Sequence, residues 1–489
     1  MEKLLGIKSK YGVFYKDGKH YIQENAAVIY KGDKILYAGS IKDAEDKYIE
    51  VEFQDLGESL VAPGFIDLDA LGDIDHCLIT TDFPKERSDD LRWSQDWFDQ
   101  RVEQLSLEDE VFKSLYAYVQ LIRHGVTTAM PITSVICKRD GETLEEIEGA
   151  AENAIKLGLR VYLGPSFVMQ KPVFVDGRQV LIPLTEEEKE SGLKNAEFFV
   201  KKWKEIDNPL VNPVVVPERI EQQTTESLKR SKEIAKKYDV PIRLHATQGT
   251  FEYEYIEKNY NMTPVQYLDS IGFLDEKTLI PHGLYLGTTK FTKDNTTTDM
   301  DILRDKGVSI IHCPLVYGRF GTALDSFGRY KHHGIKMSMG TDTFPPDFFE
   351  NIRVGSFYAR YIDEDREENN FASYYESATL GGARALGRED LGQLSEDAMA
   401  DLIVIPLDDF SLGVIDDPLK TVLMMANGSN VRDVMIGGKW VMKNREIPGI
   451  NLNELRQKAE VYYEKMKQSY IDRSNNNELN MDEFFPTIT

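Results

Sequence analysis

Cysteine is scarce in this chain. Three thiols, Cys77, Cys137 and Cys313, are spread over 489 residues. They are too few and too scattered for a disulfide framework, which points to a reducing compartment. Positive charge is short as well: 58 Lys and Arg stand against 82 Asp and Glu, a net charge of -24. Nucleic acid and anionic membrane both require a basic footprint, so neither is expected as a partner. No apolar run approaches the roughly 20 residues that span a bilayer, and the opening Met1-Glu2-Lys3-Leu4-Leu5-Gly6 has no signal-peptide core. The expectation is a cytoplasmic protein. Solenoid repeats and low-complexity domains are absent too. What remains is 41% hydrophobic and 29% charged, the balance of a soluble globular protein with a sizeable core. The length suits one large barrel with a smaller domain.

Taken in order, residues 5–60 read as short strands punctuated by turns such as Asp17-Gly18 and Gly32-Asp33. A matching strand-rich stretch comes late, in Ala400-Asp401-Leu402-Ile403-Val404, Val431-Arg432-Asp433-Val434 and Gly437-Gly438-Lys439-Trp440. The two ends are expected to pair into a composite β-sandwich of residues 1–61 and 388–450. Between them, over 62–387, strand and helix patterns alternate. Eight candidate strands in that order, the first within 61–72 and the last at 335–342, predict a parallel (β/α)8 barrel. Residues 167–183 read as a long loop. Residues 451–489 read as a charged C-terminal helix with a tail.

The first strand carries Asp67, Asp69 and Leu71, which strict alternation places on one face. Two carboxylates there need a metal, a base or hydrogen-bond donors. Further along, His245, His282 and Asp342 each fall at the C-terminal end of a predicted strand, where barrel active sites are built. Imidazole with carboxylate is the usual donor set for Zn²⁺ or Fe²⁺. A calcium loop starting at Asp67 is excluded, because its twelfth position is Leu78. Asp73, Asp75 and His76 read either as arms reaching back to the mouth or as a solvated acidic loop. His312 reads as a substrate contact or acid, or as a packed histidine beside Pro314. Tyr317 and Arg319 follow on the same loop, as binding groups or surface. Cys313 has no activating base in view and reads as core. Trp93, Trp97 and Phe98, at near-helical spacing, read as pocket wall or as core packing.

These stretches resemble the amidohydrolase superfamily, in its cytosine deaminase-like and chlorohydrolase-like (triazine hydrolase type) branch. The resemblance runs from about residue 26 to 445. Pro63-Gly64-Phe65-Ile66-Asp67 is similar to the family's entry to strand one. Gly125-Val126-Thr127-Thr128 is similar to strand two, Leu244-His245-Ala246 to strand five and Pro281-His282-Gly283 to strand six. His312-Cys313-Pro314 resembles strand seven and Gly340-Thr341-Asp342 strand eight. The chain departs from the pattern in two places. The family's strand-one His-x-His, a pair of metal ligands, is here Asp69 and Leu71. Its His-x-x-Glu on strand five is here His245-Ala246-Thr247-Gln248, and glutamine hydrogen-bonds but carries no proton at neutral pH.

The resemblance implies a (β/α)8 metal-dependent hydrolase that cleaves a non-peptide C–N bond, by deamination or a related hydrolysis, in a small nitrogen-containing cyclic substrate. It implies one divalent ion, zinc ahead of iron or manganese, held by His245, His282, Asp342 and a substitute ligand Asp69. Asp342 is ligand or general base, Gln248 orients substrate, and His312 is a further catalytic candidate. A homodimer is implied as well. The alternative, raised by the lost strand-one histidines and strand-five Glu, is a metal-free binding protein on the same scaffold.

Overall fold

Largely apolar strands of two to seven residues, alternating with helices, fold into a closed parallel barrel. The computed structural model describes residues 3–81, 93–100, 105–132, 138–287, 289–292 and 295–474. The eight barrel strands are Phe65–Leu71, Val126–Ile132, Arg160–Leu163, Val211–Pro213, Ile242–Arg243, Thr278–Pro281, Ser309–His312 and Lys336–Met339. The first four form one hydrogen-bonded sheet and the last four another. A parallel bridge, Val215–Ile242, joins the two halves on one side. On the other, the Asp342 N–H donates to the Asp69 carbonyl at 2.7 Å. Strands such as Arg160–Leu163 and Thr278–Pro281 are buried along their whole length, as a sheet covered on both faces requires.

The lumen is packed by Ile66, Leu68, Met130, Tyr162, Leu279 and Ile311. The outer helices owe their limits to local chemistry. Helix Leu144–Leu157 starts at a Thr143 capping box closed by Glu146 and stops at left-handed Gly158. It buries Ile147, Ala150, Ala151, Ala154 and Leu157, a single stripe at helical spacing.

Both chain ends build one eight-stranded sheet, where the sequence suggests a sandwich. The seam is strand Ser59–Pro63, antiparallel to Leu402–Pro406 on one side and parallel to Leu5–Lys16 on the other. Its core mixes the two ends, with Ile7, Phe14 and Val28 against Leu402, Val404 and Met435. A fully buried ion pair, Arg160 to Asp401, ties this sheet to the third barrel strand. Helix Leu452–Arg473 closes the other flank, where the Tyr462 hydroxyl donates to Asp73 (2.8 Å). No helix among the described residues is long and apolar enough to cross a membrane. Cys137 and the tail beyond residue 474 lie outside the described residues.

The expected loop at 167–183 is instead largely a hairpin, Gln170–Val175 with Arg178–Pro183. Its turn is Asp176-Gly177, with φ of 48° and 74°, the two-residue turn that matches strand twist. Trp93, Trp97 and Phe98 pack against it with Val168, Val173 and Leu184, which is core packing.

One buried carboxyl outside the barrel mouth makes stability depend on pH. Glu142 accepts hydrogen bonds from the Ser166 N–H (2.8 Å) and hydroxyl (3.0 Å), yet burial raises it from 4.5 to about 8. The folded value lies above the unfolded one, so the native state keeps a proton that the unfolded chain releases. That stability is complete below about 4.5 and is lost as pH rises through about 8, on the order of a few kcal/mol. Urea unfolding of Glu142→Gln should therefore show a shallower decline between those limits than the parent protein. Parallel slopes would rule the assignment out.

Candidate active site

Four of the residues expected at the site come together at the C-terminal mouth of the barrel, around the Asp69 carboxylate. Asp69 is 0% exposed. His245 Nε2 lies 3.6 Å from its Oδ1 and His282 Nε2 lies 3.7 Å from its Oδ2. Asp342 joins through His282, at 3.8 Å from Nε2. The strand ends are bent to achieve this: Thr247, His282 and Asp342 all have left-handed backbones, with φ of 62°, 75° and 49°. Non-glycine residues in that region cost energy and persist where the surroundings hold them. His282 is held by its N–H to the Ile311 carbonyl (2.7 Å) and Asp342 by its N–H to the Asp69 carbonyl. Gly340 lies directly beneath the site, and a Cβ there would come within 2.5 Å of the Asp69 Cβ.

The two first-strand carboxylates do not share one environment. The pairing with strand two slips between Asp67 and Ala70, a bulge that interrupts the simple alternation. Asp67 accepts from the Thr341 N–H (3.0 Å) and hydroxyl (2.5 Å), and burial raises its carboxyl to about 7. Asp69 faces the histidines. Burial opposes its ionisation too, but its neighbours His245, His282 and Arg243 outweigh that and hold the carboxyl below its usual range. His282 itself is kept neutral by burial, so the fixed cation in the group is Arg243.

Arg243 and Cys313 are the two residues here that the sequence reading missed as site components. Arg243 is 1% exposed. It donates to the Met130 carbonyl (2.7 Å) and the Pro131 carbonyl (3.3 Å), and its guanidinium stands 3.7 Å from Asp69 Oδ1. A charge inside the apolar run Pro241-Ile242-Arg243-Leu244, two positions before His245 and so on the same strand face, was the available signal. Cys313 puts its Sγ 3.6 Å from Asp69 Oδ2. Its neighbour His312, one step along the strand, packs instead against Phe327 and Tyr374, with ring centroids at 5.5 and 5.9 Å. His312 is thus not brought to the Asp69 group.

Gln248 lies at the rim, its Oε1 accepting from Arg219, and its N–H donates to Glu252 (3.1 Å). Tyr317 sets its ring edge-on to His282 at 4.8 Å. Asp73, Asp75 and His76 serve other contacts. Asp75 accepts from the Thr343 hydroxyl and the Phe344 N–H, both at 2.7 Å, and His76 Nδ1 meets the Tyr470 hydroxyl at 2.6 Å. Arg319 donates to the Phe344 carbonyl (2.7 Å), which joins the loop after strand seven to the loop after strand eight.

The donor chemistry fits a divalent cation. Asp69 Oδ1 and His282 Nε2 are buried without hydrogen-bond partners, which is costly unless something occupies them. His245 Nδ1 lies 3.2 Å from the Glu218 carbonyl. A proton placed there leaves Nε2 bare toward Asp69, the arrangement that orients a metal-binding imidazole.

In the metal-free protein, Arg243→Met should lower the unfolding free energy by about 3–5 kcal/mol, since it strands a buried carboxylate. Adding Asp69→Asn should recover most of that loss. Urea unfolding of both single variants and the pair checks the coupling, and simple additivity would assign Arg243 to its two carbonyl partners alone.

Comparison with known proteins bears on the family and the fold. A 5-methylthioadenosine/S-adenosylhomocysteine deaminase of Pyrococcus furiosus is 25% identical over 451 residues, covering 89% of this chain and 98% of its own. An adenosine deaminase from Xanthomonas campestris with bound zinc superimposes with a TM-score of 0.77 at 19% identity, over 95% of this chain and 98% of its own. A triazine hydrolase from Arthrobacter aurescens does so with a TM-score of 0.75 at 17% identity, over 94% and 99%. The sequence profile of the amidohydrolase family matches residues 60–441, and the chain belongs to that family.

Proposed function

We propose that this protein is a metal-dependent hydrolase of the deaminase type, cleaving a non-peptide C–N bond in a small nitrogen-containing ring, with adenosine-type nucleosides as the first substrates to test. One observation carries the reading: His245, His282, Asp69 and Asp342 converge from four strand ends, with buried donor atoms left unpaired at the centre. The substrate class is suggested by the deaminase relatives.

His245, His282, Asp69 and Asp342 would hold the ion, zinc by preference with iron or manganese as alternatives, and the bound ion would supply Lewis acidity. The remaining work falls to the chain. Burial, with the nearby charges of Asp69 and Asp75, raises the Asp342 carboxyl well above its usual range. That favours the protonated carboxyl, so Asp342, when not engaged by the ion, would be the group to hand a proton to a departing amine. Gln248 has its carbonyl engaged by Arg219 and its side chain hydrogen-bonded to Tyr317, so the second N–H of its NH₂ is the one that would donate to a ring nitrogen without protonating it. The burial of Asp69 and His282, at 0% and 1% exposure, keeps bulk water from the reacting atoms.

The presence of Arg243 beside Asp69 favours a second reading, a metal-free binding protein, because it gives the carboxylate a cation of its own. Elemental analysis of protein purified without chelator separates the two. About one equivalent of metal, lost in His245→Ala and in His282→Ala, supports the hydrolase; far less than one, with no activity on reconstitution, rejects it. On the best nucleoside substrate, Gln248→Ala should raise KM by about 3- to 10-fold, the worth of one hydrogen bond, with a smaller effect on kcat. A dominant loss in kcat would instead make Gln248 part of the proton path.

A further inference from the structure

Cys313 has the burial of an ordinary core residue, at 1% exposure, and small buried thiols are common. Its surroundings are not ordinary. Its Sγ points at Asp69 Oδ2 (3.6 Å), the same oxygen that His282 Nε2 approaches at 3.7 Å. Sulfur, carboxylate oxygen and imidazole nitrogen all lie within 4.8 Å of one another. In a tetrahedral centre with metal–sulfur bonds of about 2.3 Å and metal–nitrogen or metal–oxygen bonds of about 2.0 Å, neighbouring donors sit roughly 3.3–3.5 Å apart. The two edges that meet at Asp69 Oδ2, 3.6 and 3.7 Å, are a slightly open version of those, and the third lies within 4.8 Å. The other side of the carboxylate is taken by Arg243, so Asp69 Oδ1 faces a guanidinium while Oδ2 faces the thiol and His282.

Chain alternation explains the placement. Ile311 and Cys313 point into the lumen, whereas His312 between them packs outward on Phe327. The strand that presents its histidine to the helices thereby presents its cysteine to the centre of the barrel. His282 Nε2, aimed at the same point, is fully buried and has no hydrogen-bond partner.

We propose that Cys313 is a metal ligand of this protein, joining Asp69 and His282 in a thiolate–carboxylate–imidazole centre. The inference rests on the reading that the chain holds a divalent cation. On binding, the S–H proton is released to solvent and a metal–sulfur bond replaces it, with no change of oxidation state. A thiolate among the donors shifts preference toward Zn²⁺, Co²⁺ and Cd²⁺ and away from Mn²⁺. It also lowers the net charge of the centre, which the adjacent Arg243 partly offsets.

Cobalt reports sulfur ligation directly, through a thiolate-to-metal charge-transfer band in the near ultraviolet. The full-length metal-free protein is titrated with Co²⁺, and bound cobalt is measured by elemental analysis. Cys77→Ser/Cys137→Ser leaves Cys313 as the only cysteine of the three in the sequence. This variant keeps Cys313, Asp69 and His282 unchanged, so the test does not depend on how Cys313→Ser folds. The expected result is a band that saturates at one equivalent in the parent protein and in this double variant, and is missing in Cys313→Ser. One equivalent of bound cobalt without the band in the double variant would overturn Cys313 as a ligand and leave the metal-hydrolase reading standing. Failure of the parent protein to retain cobalt would overturn both.

Discussion

The Asp69 carboxylate is buried beneath the mouth of the barrel between a guanidinium and two imidazoles, and the surrounding strand ends are shaped to keep it there. An isolated carboxylate at 0% exposure would be prohibitively expensive. Arg243 offsets that cost, and is itself fixed by two backbone carbonyls from strand two. Gly340 leaves room for the Asp69 Cβ, and the Asp69 carbonyl anchors Asp342. Left-handed backbones at Thr247, His282 and Asp342 turn three strand-end loops toward the mouth. The same contacts close the barrel between strands one and eight.

This arrangement redistributes charge relative to the family pattern. Where the family pattern that the sequence resembles has an imidazole on strand one, this chain has the Asp69 carboxylate, and where that pattern has a carboxylate on strand five, this chain has the neutral amide of Gln248. Negative charge lies at the floor of the site, where Arg243 stands against it. Asp342 is one group near the mouth that favours its protonated form, its carboxyl raised by burial and by Asp69 and Asp75. Less acidic water is expected at a centre whose donors are carboxylate and thiolate than at one made of histidines.

Much of the fold is legible in sequence because barrel strands buried on both faces must be short, apolar runs between amphipathic helices. The positions of His245, His282 and Asp342 at strand ends are legible for the same reason. Local pattern fails where a side chain's direction depends on a neighbouring strand. Asp67 and Asp69 read as partners on one face, but a bulge against strand two sends them to Thr341 and to the histidines. His312 and Cys313 are adjacent and chemically suggestive, and the strand's phase within the barrel selects the cysteine for the centre. The hairpin at 170–183 is signalled by Asp176-Gly177 between the apolar runs Val173-Phe174-Val175 and Val180-Leu181-Ile182, a cue that a loop reading passes over.

The sequence by itself determined the family and the parallel barrel, since periodicity and motif are local properties of the chain. Only the tertiary structure decided that Arg243 and Cys313 share the Asp69 carboxylate with two histidines, and that His312 does not. Those contacts join strands far apart in sequence, and their geometry is set by barrel closure and strand register, which no local stretch encodes.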